Sequence, residues 1–395
     1  MMAVMQATNA DRHYYGDKYL LIVVVLLVAF GLVMMTSASI EIAAMQYADP
    51  FYHLKRQLRF LVMGLFAAAV VVMIPVGYWK KISMLLFVAA LILLVLVFVP
   101  GIGREVNGST RWIYVGFMSI QASEPAKLFI VMFLAFYMSE NREEIRSSWK
   151  AFFMPFMFVM APIVLLLKEP DFGAVVVLMI AVFGMMFMAG VKLHRLFMVI
   201  GMAAVAMALM VLTSSYRMAR LNSFIQALTD PFSENVVYGS GYQLAQALIA
   251  FGRGEWFGVG LGNSIQKMYF LPEAHTDFVL AIIAEELGFL AVLVLMGGFL
   301  FLVFRALMIA RGNEKSKNYF SAYLAYGISF ILLGQILINM AVNVGLLPTK
   351  GLTLPFLSYG GSSLMVCLVM VAMLIRIDIE NFEMLSKGRL RAEQD

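Results

Sequence analysis

The chain reads as an all-α polytopic membrane protein of about ten transmembrane helices. Three observations predict this. Of its residues 62% are hydrophobic and only 13% charged, and the mean hydropathy is +0.88. Apolar runs of about 17 to 25 residues, the length that a hydrocarbon core of about 30 Å requires, recur along the sequence. Such a composition excludes an ordinary soluble domain. The 32 Met and 32 Phe suit lipid-facing and helix-packing surfaces rather than a cofactor pocket.

In chain order, a cytoplasmic tail (1–18) precedes span one at 19–38. Ser37-Ala38-Ser39 looks like a cleavage site, but the apolar run is too long and more spans follow, so it reads as an uncleaved anchor. Spans two and three fall at 58–76 and 82–99. An outer loop with Arg104 and Arg111 leads to span four, 124–139, whose first turn holds Glu124 and Lys127. That end is expected to line a wet cavity rather than lipid. Spans five to seven are 151–167, 172–190 and 196–213, with Lys168 and Asp171 in the turn between five and six. Residues 214–276 form a large outer loop, long enough to be functional. Within it Tyr242 to Phe251 spaces apolar residues as a short interfacial helix, and the glycines that follow permit close backbone approach. Spans eight, nine and ten are 278–304, 320–346 and 362–377, and a cytoplasmic tail (378–395) ends the chain. Between nine and ten, Leu347 to Ser363 holds prolines and glycines that forbid a continuous helix. Re-entry there would present N–H groups, Lys350, Ser358 and Ser362 to a phosphate, although a capped turn fits the spacing as well.

Charge sets the orientation. With both termini cytoplasmic, about 17 of the Lys and Arg residues lie inside and about 12 outside. The outward group, among them Arg104, Arg111, Lys127, Lys168, Lys267 and Lys350, suggests an anionic ligand, although solvated loop charge explains any one of them equally. Basic residues spread over both faces argue against nucleic acid, and attraction of the inner ones to anionic lipid is simpler. The single cysteine, Cys367, lies in span ten and precludes an internal disulfide.

Asp277, in His275-Thr276-Asp277, stands at the start of span eight. A carboxylate at a hydrocarbon edge is desolvated, which suits proton abstraction near neutral pH. Position alone fits a helix N-cap by Thr276 or Asp277 at least as well. Glu285 and Glu286 lie more than two turns further on, about 12 to 14 Å deeper at helical rise, and adjacent helical residues point about 100° apart, so at most one should face a central cavity. Gln335 and Asn339 share one face of span nine and read as interhelical hydrogen-bonding groups. No cofactor motif is present. A divalent cation could take oxygens from Glu124, Asp171 and Asp277, but none of these has ligand spacing.

Over nearly its whole length the chain resembles the SEDS (shape, elongation, division and sporulation) family, and within it the cell-division branch. The likeness rests on Ser37-Ala-Ser39, Lys55-Arg-Gln57, Gly103 to Ser109 with Arg111-Trp-Ile113, Ser123-Glu124 with Lys127, Glu169-Pro-Asp-Phe-Gly173, Gly241-Tyr-Gln243, His275-Thr-Asp277 and Ser358-Tyr-Gly-Gly-Ser-Ser363. Ala274 and Pro348-Thr-Lys-Gly351 favour the division branch. Ala122 and Ala247 depart from the usual Pro and Ser without touching the acid–base chemistry.

The resemblance implies a peptidoglycan glycosyltransferase of the bacterial cytoplasmic membrane, enriched at the division septum. It would polymerise lipid II by inverting transfer to an acceptor 4-hydroxyl, with undecaprenyl pyrophosphate leaving. Asp277 would be the base, with Lys127 holding it ionised or gripping pyrophosphate. Glu124, Arg104, Arg111, Lys168, Asp171, His275, Thr276, Lys350, Ser358 and Ser362 would bind substrate. A class B penicillin-binding transpeptidase and other division proteins are the implied partners. A lipid II flippase and a non-catalytic scaffold are the alternatives; Glu285 and Glu286 are what keep transport open.

Overall fold

The computed structural model describes residues 16–392, apart from 107–108, 116–117, 214, 231–232, 234–235, 237–238, 240 and 349–350. A helix overlaps each of the ten expected spans: α1 (Lys18–Tyr47), α2 (Tyr52–Met73), α3 (Val76–Leu96), α4 (Ser123–Glu140), α6 (Trp149–Lys168), α7 (Phe172–Met188), α8 (Leu193–Leu212), α11 (Val279–Lys315), α12 (Tyr319–Asn343) and α13 (Gly361–Ala392). Seven of them, α1, α2, α3, α6, α11, α12 and α13, are long and apolar enough to cross a bilayer. The apolar stretches of α7 and α8 are shorter, and α4 buries Glu124 and Lys127 in its first turn. Short helices α5 (Arg142–Ser147), α9 (Ser215–Thr229) and α10 (Tyr242–Gly254) and a π turn at Gln266–Phe270 are also present among the described residues, so much of the expected loop 214–276 is helical.

Helices α4, α12 and α13 form the centre, with α12 buried along most of its length. The start of α1 is tied down where Asp17 caps it through the amides of Tyr19 and Leu20 and pairs with Arg305 of α11. Helix α13 runs without a break into the residues expected as a C-terminal tail.

Two features depart from an all-helical reading. Between α3 and α4 a three-stranded antiparallel meander forms from β1 (Gly103–Val106), β2 (Ser109–Val115) and β3 (Met118–Gln121). Its register pairs Trp112 with Gln121 and Arg104 with Trp112. β3 runs directly into α4, so the sheet is fixed to the central bundle.

The second departure lies in α11, which is interrupted at Gly288 (φ 80°, ψ 177°). In an unbroken helix Phe289 and Leu290 would donate to the carbonyls of Glu285 and Glu286. Here the chain just after α10 is spliced between them. Val259 and Gly260 donate to the Glu285 and Glu286 carbonyls at 3.0 and 2.9 Å, while Phe289 and Leu290 donate to Glu255 and Trp256 at 2.9 and 3.2 Å. Four backbone groups of α11 thus find partners, as a peptide group surrounded by apolar side chains requires. Gly254, Gly258 and Gly288 make the approach feasible, since a Cβ on any of them would collide with the opposing backbone.

Candidate active site

The sheet, the turn before α7, the segment before α11 and the segment before α13 converge on a cavity of about 510 Å³. Asp277 lies in its wall. It does not cap α11: the first helical turn has no side-chain cap, and the Thr276 hydroxyl bonds instead to the carbonyl and carboxylate of Glu273, at 3.1 and 2.7 Å. The carboxylate is therefore free of the structural duty that position alone would assign it.

The backbone of Asp277 is held from α12. Asn339 and Asn343 both donate to its carbonyl at 2.9 Å, and the Asn343 amide oxygen accepts from Ala281 at 3.2 Å. Asn339 also donates to Leu352, at 2.6 Å, tying the next cavity-lining segment to the same point. The amide series expected at 335 and 339 is thus structural, and it extends to Asn343, one turn further on the same face.

Burial raises the Asp277 carboxyl to about 7; Glu273 and Asp171 push the same way, and Arg111 opposes them. Its edge stays partly open to the cavity. Arg111 is fixed by donating to the carbonyls of Glu169 and Pro170, at 3.2 and 2.6 Å, so its guanidinium is spent on no carboxylate hydrogen bond. Gly351 packs between the two, and a methyl there would lie 3.1 Å from Asp277 Oδ2 and 3.9 Å from Arg111 Nη1.

Asp171 caps α7 through Ala174 and accepts from Ser123 at 2.8 Å and Gln121 at 3.3 Å. Beside it Glu169 is fully buried, and its carboxyl is raised to about 8 by burial and by Asp171. On the opposite wall His275 packs against His53 and Tyr359, with ring centroids 4.7 and 5.5 Å away. Burial lowers the His275 imidazole to about 4, so it is neutral near pH 7. Gln57 clasps the Ser358 carbonyl and the Gly360 amide, and Tyr359 donates to the His275 carbonyl at 2.8 Å, which locks the serine-rich segment onto the wall.

Of the residues singled out from sequence, Asp277, Glu124, Arg111, Asp171, His275, Thr276 and Ser362 line the cavity. Lys127 does not, and its expected pairing with Asp277 is replaced by a buried ion pair with Glu124 at 2.8 Å, one turn away on α4. Arg111 is the cation that acts on Asp277. Arg104 is exposed and stacks over Tyr114 at 5.0 Å, and Lys168 is exposed at the end of α6. Neither reaches the wall. Ser358 is buried behind it and caps Leu354 at 2.8 Å, and Lys350 lies outside the described residues. Sequence reasoning missed Gln121, Tyr359, Thr353 and the wall position of Arg56.

The acidic residues do not assemble a cation site. Asp171 Oδ2 is engaged by Ser123 and Gln121 and Glu124 by Lys127, and no trio of His, Cys, Asp or Glu among the described residues is arranged to hold a metal.

Comparison with known proteins agrees with this architecture. A family model described as a cell cycle protein, covering FtsW, RodA and SpoVE, matches residues 17–383. The chain is 52% identical over 355 residues to the probable peptidoglycan glycosyltransferase FtsW of Pseudomonas fluorescens, covering 90% of this chain and 86% of that one. It is 48% identical over 375 residues to the protein of the same name from Alcanivorax borkumensis, covering 94% and 96%. Among solved structures it is similar to a chain of a peptidoglycan synthase complex that coordinates polymerization and crosslinking (TM-score 0.75, 27% identity, 93% and 99% covered). It is also similar to the rod shape determining protein RodA of Thermus thermophilus (TM-score 0.68, 26% identity, 93% and 98% covered). A match over nearly the whole chain makes this protein a member of the FtsW/RodA/SpoVE family of multi-pass membrane proteins.

Proposed function

We propose that the cavity polymerises lipid II, with Asp277 as general base of a peptidoglycan glycosyltransferase. The observation that carries this reading is an uncapped carboxylate in a cavity wall, raised to about 7 and faced by a fixed arginine. A base near neutrality holds enough ionised form to act and enough proton affinity to accept. The acceptor 4-hydroxyl gives its proton to Asp277 as its oxygen bonds to the donor's anomeric carbon. The bond from that carbon to pyrophosphate breaks on the opposite side, so an α-linked donor yields a β-1,4 glycan. Pyrophosphate needs no proton if cations meet its charge; Arg111 and Arg56, both on the wall, are suited to that. Polar wall groups, Gln121, Gln243, Thr353 and Ser362 among them, offer donors and acceptors to the sugars.

On this reading the chain crosses the membrane ten times with both termini cytoplasmic, residues 214–276 on the outer side and tails at 1–18 and 378–395, and it acts at the division septum. The partner is a class B penicillin-binding transpeptidase within a larger division assembly. Transport is disfavoured because Glu285 and Glu286, the deep carboxylates it would need, are both engaged in ion pairs. The deciding experiment is lipid II polymerisation by the purified protein with its transpeptidase partner in detergent, where flipping cannot limit the rate. Glycan strands are expected, and their absence with folded protein and partner present would reject the enzyme reading.

A further inference from the structure

Outside the cavity, the densest group of buried charge surrounds the break in α11. Glu285 and Glu286 are both 0% exposed, and Lys267 is 2%. Glu285 receives Arg253 at 2.5 Å, the Ser264 hydroxyl, and the amides of Ile265 and Gln266 at 3.0 and 3.3 Å. Glu286 receives Lys267 at 2.8 Å and the Ser37 hydroxyl of α1 at 2.8 Å, and Lys267 in turn donates to Ser37 at 3.2 Å. Every carboxylate oxygen is thus used, by groups from α1, the end of α10 and residues 264–267.

The placement of these bonds along the chain has a mechanical meaning. Residues 264–267 lie before Asp277 and Glu285–Glu286 lie after it, so the two carboxylates close a loop that carries the proposed base about midway. The splice of residues 255–260 into α11 fixes the second end of that loop at the same place. The α12 asparagines hold the Asp277 carbonyl and the clamp closes the loop around it, while its carboxylate is used by neither support.

We propose that the Glu285–Arg253 and Glu286–Lys267–Ser37 pairs are positioning residues for the glycosyl transfer, closing the 264–286 loop so that Asp277 meets the acceptor hydroxyl. The proposal rests on the polymerase reading above. Its chemistry is that of a geometric constraint, in which a displacement on the order of 1 Å at a reacting group costs up to about 10²-fold in rate.

The test uses the protein with its transpeptidase partner and fluorescent lipid II. Glu286→Gln is expected to lower kcat on the order of tenfold per folded molecule, with KM for lipid II unchanged. The acid limb of its pH–rate profile should also move, because Asp277 shifts relative to Arg111 and Glu273. Lys267→Arg, which keeps the charge and the donors, should retain kcat. Because Glu286→Gln leaves Lys267 buried alone and folding could suffer, a second variant, Lys267→Met with Glu286→Leu, removes both charges. It should recover the melting temperature and stay slow. Wild-type kcat in either variant, recovery of kcat together with melting temperature in the double variant, or a loss confined to KM would overturn the clamp. An inactive wild type would instead remove the polymerase reading, and with Asp277→Asn as the inactive control the two failures are distinguishable.

Discussion

Replacing Asp277 by asparagine should destroy the rate and, at alkaline pH, strengthen the fold. The raised carboxyl means that the folded protein binds a proton that the unfolded chain has already lost. Stability conferred by the protonated form is complete below the ordinary aspartate value of 3.8 and declines as pH rises towards about 7. At about 1.4 kcal/mol per pH unit, that interval corresponds to roughly 4 kcal/mol for holding Asp277 ionised above pH 7. Access of cavity water reduces it, so a gain on the order of 2 kcal/mol is expected for Asp277→Asn at pH 8 and little at pH 4. The catalytic effect has the opposite sign. Loss of the base should lower kcat/KM by at least about 10²-fold. In the wild type the same group predicts a rate that falls about tenfold per pH unit below 7, because only the ionised fraction accepts the proton. The assays are thermal melts of both proteins at pH 4 and pH 8, and initial rates of lipid II polymerisation between pH 5 and 8.5. Near-normal glycan synthesis by Asp277→Asn would remove the carboxylate from the chemistry, and a lower melting temperature than wild type at pH 8 would show that the group is not held against its ionisation.

Three further outcomes follow from the same geometry. Arg111→Ala removes the cation that lowers the Asp277 carboxyl, so the acid limb of the polymerisation pH profile should move to higher pH; an unmoved limb with reduced rate would confine Arg111 to substrate binding. Lys127→Ala strands Glu124 in a buried site and should cost about 3 to 5 kcal/mol in thermal or denaturant melts, whereas Glu124→Gln with Lys127→Met should recover most of it; equal melts for the two would contradict the pairing. In a Cys367→Ser background, Gly239→Cys should react with an impermeant thiol reagent in intact spheroplasts and Lys315→Cys should not, and the reverse pattern would invert the orientation.

The helices were legible because a bilayer imposes both a length and an apolar composition, and ten such runs can be counted without knowing how they pack. Depth along a helix was legible too, which brought Asp277, Glu124 and Asp171 to one level. Azimuth was not. Lys127 and Arg111 are both expected at outer ends, but Lys127 shares a helix with Glu124 three residues away and local pairing takes it, while Arg111 reaches Asp277 from a strand. That strand had a signal in the Asn107-Gly108 dipeptide between short alternating runs. The break at Gly288 had none, because glycine is common in membrane helices and the segment that fills the gap lies some thirty residues upstream. Asn343 could have been found, being the third member of the series 335, 339, 343.

The splice at Gly288 also bears on how the chain is built into the membrane. Left to itself, α11 can complete its own ladder, with Phe289 bonding Glu285 and Leu290 bonding Glu286, so it can enter the bilayer as one apolar cylinder with no bare peptide group. Docking of residues 255–260 then trades those two bonds for the four observed. Because that segment precedes α11 in the chain, its donors and acceptors can meet the helix as it docks, so that each freed peptide group is handed directly to a new partner.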